Sequence, residues 1–377
     1  MSVVVRQAES KADRKKFVLL PWKLYRNDPR WVPPLVMDRL ETLDEKKNPF
    51  FEHGRAALFL AERDGEVVGR ITAHSNTLHN EYHKDKTGFF GFFECVDDET
   101  VARALLERAE DWLRQQGHDR VLGPENFSVN EEVGLLVEDK EGPPMIMCTY
   151  NPPYYARLIE TGGYEKAKDL FGWAYQVGDV PDAPRQIAGA VEKHPGLVVR
   201  QADPKHMERD VRIVRDIFNS AWSRNWGFVP WTEAEVKHSA KMMKMIIVPE
   251  LTAIAEVDGQ PAGMMLAFPN LLEAIKDLNG RLFPTGMLKL VWRVMLGRYK
   301  FQAARLFLLG VKPEFRGSVL GGLSVLLYVK AHEGALKVGI KGGELGWTLE
   351  DNEKINQGIQ FMGGRLAKIY RVYGKDL

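Results

Sequence analysis

Residues 57–62 and 67–73 are two apolar runs, and the polar turn Arg63-Asp64-Gly65-Glu66 joins them, so a β-hairpin is predicted there. Glu256-Val257-Asp258-Gly259 predicts a second one. A short strand is read at 3–7, a third strand of the first sheet at 88–96, a helix over 99–116 that stops at Gly117, and a strand at 120–122. Between the first strand and the hairpin, a helical stretch ends near Asn27-Asp28-Pro29, where Trp31-Val32-Pro33-Pro34 breaks it. Far downstream, 307–322 is an apolar run followed by a loop punctuated by Pro313, Gly317, Gly321 and Gly322. It reads as a strand feeding a glycine-rich helix start. Leu323, Leu326, Leu327, Lys330 and Ala331 then recur at spacings of three and four, which predicts an amphipathic helix over 323–336. A strand at 344–349 and a final helix before Gly363-Gly364 follow.

The two halves repeat one order of elements. Residues 62–69 recur as 256–263, Val32-Pro33 as Val229-Pro230, and the span from Asn151 to Gly162 as Asn352 to Gly363, with offsets of 194, 197 and 201. Three marks in one order, with slowly growing offsets, predict an internal duplication with insertions. The expected class is mixed α/β, as two tandem units, each a mostly antiparallel mixed sheet flanked by helices. The expected units are 1–178 and 197–377, with 179–196, which holds Pro181, Pro184 and Pro195, as a linker.

A strand, a glycine-rich turn and a helix N-terminus together make an anion site, because unpaired N–H groups and the positive end of the helix dipole point the same way. Arg316 adds a charge. The loop has no Lys-Ser or Lys-Thr after its glycines and no GxGxxG occurs, which leaves the pyrophosphate of coenzyme A as the common phosphate ligand. Val311-x-Pro313-x-Phe315-Arg316-Gly317-x-x-x-Gly321 resembles the acyl-CoA-binding motif of the GNAT N-acyltransferase superfamily, Arg/Gln-x-x-Gly-x-Gly/Ala, with Val319 at the first glycine and Gly321 at the second. Asn352 and Gly363 repeat the superfamily's spacing of eleven, and Ile359 stands where a general-acid tyrosine is common. The resemblance implies acyl-CoA as co-substrate, held by Val311, Arg316, Gly317, Gly321, Gly322 and Asn352, and an amine as acceptor. It also implies a base, for which Glu350 and Asp351 are the candidates; helix capping is the competing account of Asp351. An ordinary strand-to-helix turn is the competing account of the whole loop. In the first unit the same place carries Glu94, Asp97, Asp98 and Glu99, which repel phosphate, so its CoA site is expected to be degenerate and the unit to form a wall of the acceptor site.

Acceptor candidates come from polar and aromatic clusters. Residues 123–134 hold Asn126, Ser128, Asn130, Glu131 and Glu132; Tyr150, Tyr154 and Tyr155 follow; 218–231 pack five aromatics, Trp226 among them. Asn126, Asn130, Tyr150, Tyr154 and Trp226 are therefore expected to bind substrate, against the alternatives of a solvated loop and of core packing. An insertion at 270–305 contains the run 282–301, in which Lys289, Arg293, Arg298 and Lys300 interrupt apolar residues around Trp292. Such a run suits a membrane interface or an apolar substrate mouth as well as a buried helix with snorkelling cations. The expectation is a hydrophobic, lipid-like amine or a long acyl chain, handled in the cytoplasm or at the cytoplasmic face of the inner membrane. Bacterial ceramide synthases, which acylate a sphingoid base from acyl-CoA, belong to the same superfamily and are one concrete candidate. A non-catalytic acyl-CoA-binding module and an acetyltransferase for a small polar amine are the alternatives.

Composition narrows the field further. Lys and Arg exceed Asp and Glu by one, which offers no case for a nucleic-acid partner. Cys95 and Cys148 cannot build a disulfide framework or a four-thiolate zinc site, in keeping with a reducing cytoplasm. The first residues are too poor in apolar side chains for a signal peptide, and no run reaches the ~18 apolar residues of a membrane span. His79 and His83 lie one helical turn apart, yet Glu81 is not placed as a zinc peptidase requires, so no metal is expected.

Overall fold

The computed structural model describes residues 2–140, 142–297 and 299–377. Thirteen strands form one sheet: β1 (Val4–Gln7), β2 (Gly54–Arg63), β3 (Glu66–Asn76), β4 (Thr87–Cys95), β5 (Arg120–Gly123), β6 (Leu135–Asp139), β7 (Glu165–Gln176), β8 (Leu197–Arg200), β9 (Thr252–Val257), β10 (Gln260–Pro269), β11 (Ala303–Val311), β12 (Gly342–Leu349) and β13 (Arg365–Asp376). The order is β1-β2-β3-β4-β5-β13-β7-β12-β11-β10-β9-β8, with β6 beside β13. Read from either end it repeats itself. In each half four antiparallel strands lead to a parallel pair, β4 with β5 and β11 with β12. Asp64 and Asp258 take positive φ in the two hairpins, at 52° and 49°, and each is followed by a glycine that does the same.

The last strands change sides, which no periodicity predicts. β13 pairs with β5 of the first half, β7 pairs with β12 of the second, and β7 and β13 pair with each other at the centre. Each half-sheet is thus closed by the other half's terminal strand.

Helices cover both faces. Helix Glu99–Gln115, capped by Asp98 through Thr100 N at 2.8 Å, packs Val101, Leu105 and Leu113 on one face, and Leu323–Val338 does the same in the second half with Leu323, Leu326 and Leu327. Its C-terminus closes on Gly339 in the left-handed conformation. The opposite face carries Lys11–Leu24 in the first half, with Met207–Ala221 and Glu233–Ile246 in the second. Residues 179–196, read as a linker, contain the helix Asp182–Val191, whose Ala188 and Val191 are buried in the core of the second half. The insertion is broken rather than one helix: Leu272–Ile275, then Gly286–Leu290 running into a π turn at Val291–Met295. Phe283-Pro284 precedes it, and Lys289 and Arg293 both reach back to Asp277 Oδ2, at 3.0 and 2.9 Å. Arg298 lies outside the described residues.

Candidate active site

β11 and β12 are hydrogen-bonded only where Ala303–Leu306 faces Gly342–Leu345. Beyond that point they diverge. A register shift against β10 at Leu266/Ala267 places an extra residue in β11, and β12 is irregular between Leu345 and Thr348, where Gly346 takes φ 109°. Among the described residues, the backbone of 307–311 makes one hydrogen bond outside its ladder with β10, from Arg316 Nε to Val311 O at 2.8 Å.

The corresponding gap in the first half is filled. β4 and β5 pair from Thr87 to Phe89 and then part, and internal groups occupy the freed edge. Phe92 N donates to Asn126 Oδ1 at 2.7 Å, Cys95 N to the Tyr155 hydroxyl at 3.1 Å, and the Tyr154 hydroxyl to Cys95 O at 2.9 Å. At the places of Tyr154 and Tyr155 the second half has Ile355 and Asn356. Asn356 turns toward its own strand, accepting from Thr348 Oγ1 at 2.6 Å and donating to Leu349 O at 3.0 Å.

The loop after β11 is a pair of short 3-10 turns, Pro313–Phe315 and Ser318–Gly322, leading into the helix Leu323–Val338. Arg316 anchors it, since Nη2 also donates to Ala221 O at 2.9 Å. A Cβ on Gly317 would meet nothing within 4 Å, and one on Gly321 only Arg316 O at 3.6 Å, so this side of the loop is open. Gly322 serves packing: a Cβ there would lie 2.6 Å from Ile187 and 2.9 Å from Val191 of the helix Asp182–Val191. Glu350, Asp351 and Asn352 form the turn after β12. Glu350 pairs with Lys166 at 2.6 Å and accepts from Asp169 N, Asp351 pairs with Lys168 at 2.8 Å, and Asn352 caps the helix Glu353–Phe361 through Ile355 N at 3.5 Å. Hydrogen bonding to Lys168 holds the Asp351 carboxyl below its usual range.

On the face of the sheet opposite the helix Leu323–Val338, the strand gap of the second half ends at a buried polar network that sequence reasoning missed. Lys368 Nζ meets Glu344 Oε2 at 2.8 Å and Pro143 O at 2.9 Å, and Tyr370 donates to Glu344 Oε1 at 3.2 Å. Arg305, neighbour to Glu344 across the parallel ladder, donates to Gly346 O at 3.0 Å and to Ile146 O at 2.7 Å. The Cys148 thiol, 3.4 Å from Glu344 Oε1, is pushed up to about 12 by burial and so stays neutral. One signal existed: a lone charge at an inward position of an otherwise apolar strand, as Arg305 is in β11. Glu344, the partner of Lys368 and the ladder neighbour of Arg305, lies too far along the chain to be read from spacing.

Cys148 also lines a cavity of about 150 Å³ on the first half, with Trp31, Arg70, Glu94, Asn126, Glu132 and Tyr150. Two ion pairs stand in its wall, Arg39 with Glu132 and Arg70 with Glu94 at 3.5 Å. Glu94 accepts from Tyr25 at 2.8 Å and Tyr155 at 2.7 Å, and burial raises its carboxyl while Arg70 opposes the rise. Burial also acts to raise Glu132, but the charge and hydrogen bonds of Arg39 outweigh it and leave the group below its usual range. Burial together with the hydrogen bond to Asp28 pushes Tyr150 up to about 12. The structure thus brings Asn126 and Tyr150 into one cavity. Tyr154 goes to the filled gap, Asn130 ties its loop to the second half through Val229 O at 3.1 Å, and Trp226 packs beside Val229. The loop 123–134 is largely buried, with Phe127, Ser128 and Val129 inside.

No protein-family model matches the chain. The chain is similar to the bacterial ceramide synthase of Caulobacter vibrioides, 40% identical over 370 residues that cover 97% of this chain and 95% of that protein. It is also similar to the protein YghO of Escherichia coli K12, 37% identical over 377 residues, 99% of this chain and 95% of that one. Among solved structures, a tandem GNAT protein from the clavulanic acid biosynthesis pathway superposes with a TM-score of 0.60 at 13% identity, covering 100% of this chain and 98% of the other. A GCN5-related N-acetyltransferase from Sphaerobacter thermophilus superposes at 0.52 and 15% identity, covering 99% and 95%.

Proposed function

The chain belongs to the family of the Caulobacter bacterial ceramide synthase and YghO and has the tandem GNAT fold, and on that premise we propose that it is an acyl-CoA-dependent N-acyltransferase whose acceptor is the amine of a long-chain, sphingoid-like base. The observation that carries this reading is the difference between the two strand gaps, one filled by Tyr154, Tyr155 and Asn126, the other left with a free strand edge beside a glycine loop. Donor binding is assigned to the unit 197–377 and acceptor binding to the unit 1–178, with 179–196 between them.

Backbone N–H groups at 317–323 would face the phosphates of acyl-CoA, and Val311 and the free edge of 307–311 would pair with its pantetheine arm as an added strand does. Asn352 and Gly322 keep the two flanking helices in place for this. An N–H of the free edge would stabilise the oxyanion formed when the amine attacks the thioester. The proton released by the amine is assigned to Glu350, at the far end of β12, with Asp351 holding Lys168 beside it. Ile359 gives the departing thiolate no acid. With an ordinary thiol pKa of about 8.5 it can leave unprotonated.

The cavity of the first half suits the polar end of the acceptor: Glu94 and Glu132 for an ammonium, Asn126 and Tyr150 for hydroxyls. Its wall also contains Leu272, from the inserted segment. That segment exposes Phe283 (65%), Leu288 (71%), Trp292 (56%) and Leu296 (62%), three of them at helical spacing of four. Among the described residues no helix is long and apolar enough to cross a membrane, so contact through this patch would be peripheral. A matrix of acyl-CoA chain lengths against amines, followed by thiol release and product mass, tests the proposal. Amide formation from a long-chain base is the expected result. Preference for acetyl-CoA with a small polar amine would overturn the acceptor, and CoA binding without turnover would make the chain a binding module.

A further inference from the structure

On the face that carries the helix Leu323–Val338, directly behind the point where β11 and β12 part, lies a second cavity of about 50 Å³. Leu306 and Leu345, the last residues paired before the strands diverge, form its near wall. Ala331 and Ala335, one helical turn apart on that helix, form the far wall, and Met362 also lines it. Of the three polar side chains that line it, Tyr175, Tyr328 and His332, the first and last are bonded to each other. Tyr175 donates to His332 Nδ1 at 2.7 Å, and His332 Nε2 donates to Gly178 O at 2.6 Å, which uses both ring nitrogens of a buried histidine. What remains is an apolar hollow whose walls are small by sequence, with Ala304, Ala331 and Ala335 where larger aliphatic residues would fill it. Well-packed interiors leave few such voids, and an apolar one stays dry.

Building on the acyltransferase reading above, we infer that this cavity receives the far end of the acyl chain of the donor and that Ala331 and Ala335 set the chain length accepted. A thioester arm entering from the glycine loop runs along 307–311 toward the point where the strands join, and an acyl chain that continues on that line reaches Leu306 and Leu345. The opposite face at that point is filled by Arg305 and by the buried pair of Lys368 with Glu344, whose polar bonds an alkyl chain could not replace. The helix-side face offers walls that are mostly aliphatic. The void is small, so a long chain needs a flexible lining side chain, Met362, to swing aside.

The test is a series of acyl-CoA donors from two to eighteen carbons with one amine, comparing the wild-type chain with Ala331→Leu, Ala335→Leu and the double variant. Leucine suits a helix, so the single variants are expected to fold, which circular dichroism and thermal melting check. The optimum should move to shorter chains, with kcat/KM for the longest donor falling at least about tenfold while the shortest donor is unaffected. An unchanged chain-length profile in folded variants would overturn the inference. If the wild-type chain acylates no amine, the acyltransferase reading fails separately, and calorimetry with palmitoyl-CoA and with CoA still decides the cavity. Tighter binding of palmitoyl-CoA that Ala335→Leu abolishes supports it; equal affinities for the two ligands, or an advantage that survives Ala335→Leu, overturn it.

Discussion

The two halves share a strand order, a bulged fourth strand and a parallel pair that parts after three or four residues, yet one gap is filled and the other is open. The difference comes from a few side chains. Tyr154 and Tyr155 at the start of one helix give the edge of β4 the partners that a buried backbone requires, and Glu94 beside them accepts from Tyr155. Ile355 and Asn356 at the same places leave β11 without such partners. One half therefore keeps a free strand edge, and the other, its edge filled, holds a cavity of its own.

The largest test of this comparison asks how independent the halves are. Deleting 363–377 removes β13, which closes the first half through Tyr373 facing Gly123 and Gly374 facing Leu122. Hydrogen exchange should then show loss of protection in 1–178 as well as 197–377, and an intact first half would mean the exchange of strands is unimportant to it. Next in size is Lys368→Met, which leaves Glu344 buried without its cation and should cost about 3 to 5 kcal/mol in a denaturant titration. The exposed pair of Arg157 with Glu99 in the first half should be worth no more than ~1 kcal/mol in the same assay.

Arg316→Ala releases the glycine loop from Val311 O and Ala221 O and should weaken CoA binding by ~1.5 to 3 kcal/mol by calorimetry, and Gly321→Val should weaken it too, by crowding the phosphates where the loop itself leaves room. Asp97→Ala, at the corresponding place in the first half, should leave CoA affinity alone. Unchanged affinity for both Arg316→Ala and Gly321→Val would move the donor site elsewhere.

A last effect appears only on acidification. His74 is buried among Phe50, Phe89 and Phe127, and burial lowers its pKa to about 3. Between about pH 6.5 and 3 the unfolded chain binds the proton that the folded chain refuses, so stability rises with pH across that window and falls on acidification, by up to ~1.4 kcal/mol per pH unit from this group. His74→Phe should flatten that slope. An equal slope in the variant would assign the acid sensitivity to other groups.

Local features were legible because their causes are local. Asp64-Gly65 and Asp258-Gly259 turn hairpins through positive φ, Asp98 caps a helix two residues on, and the spacing of Leu323, Leu326 and Leu327 buries one helical face. The repeat of these marks was enough to predict two similar units and the glycine loop as the place to look for a phosphate. Tertiary structure alone decided which half closes which. The crossing of β7 and β13 depends on pairing between residues about two hundred positions apart, and period-two alternation is the same whichever neighbour a strand finds. It also decided that Glu344, Lys368, Tyr370 and Cys148 meet, because a buried charge is stable only where folding delivers its partner, and the sequence carries the charge without naming that partner.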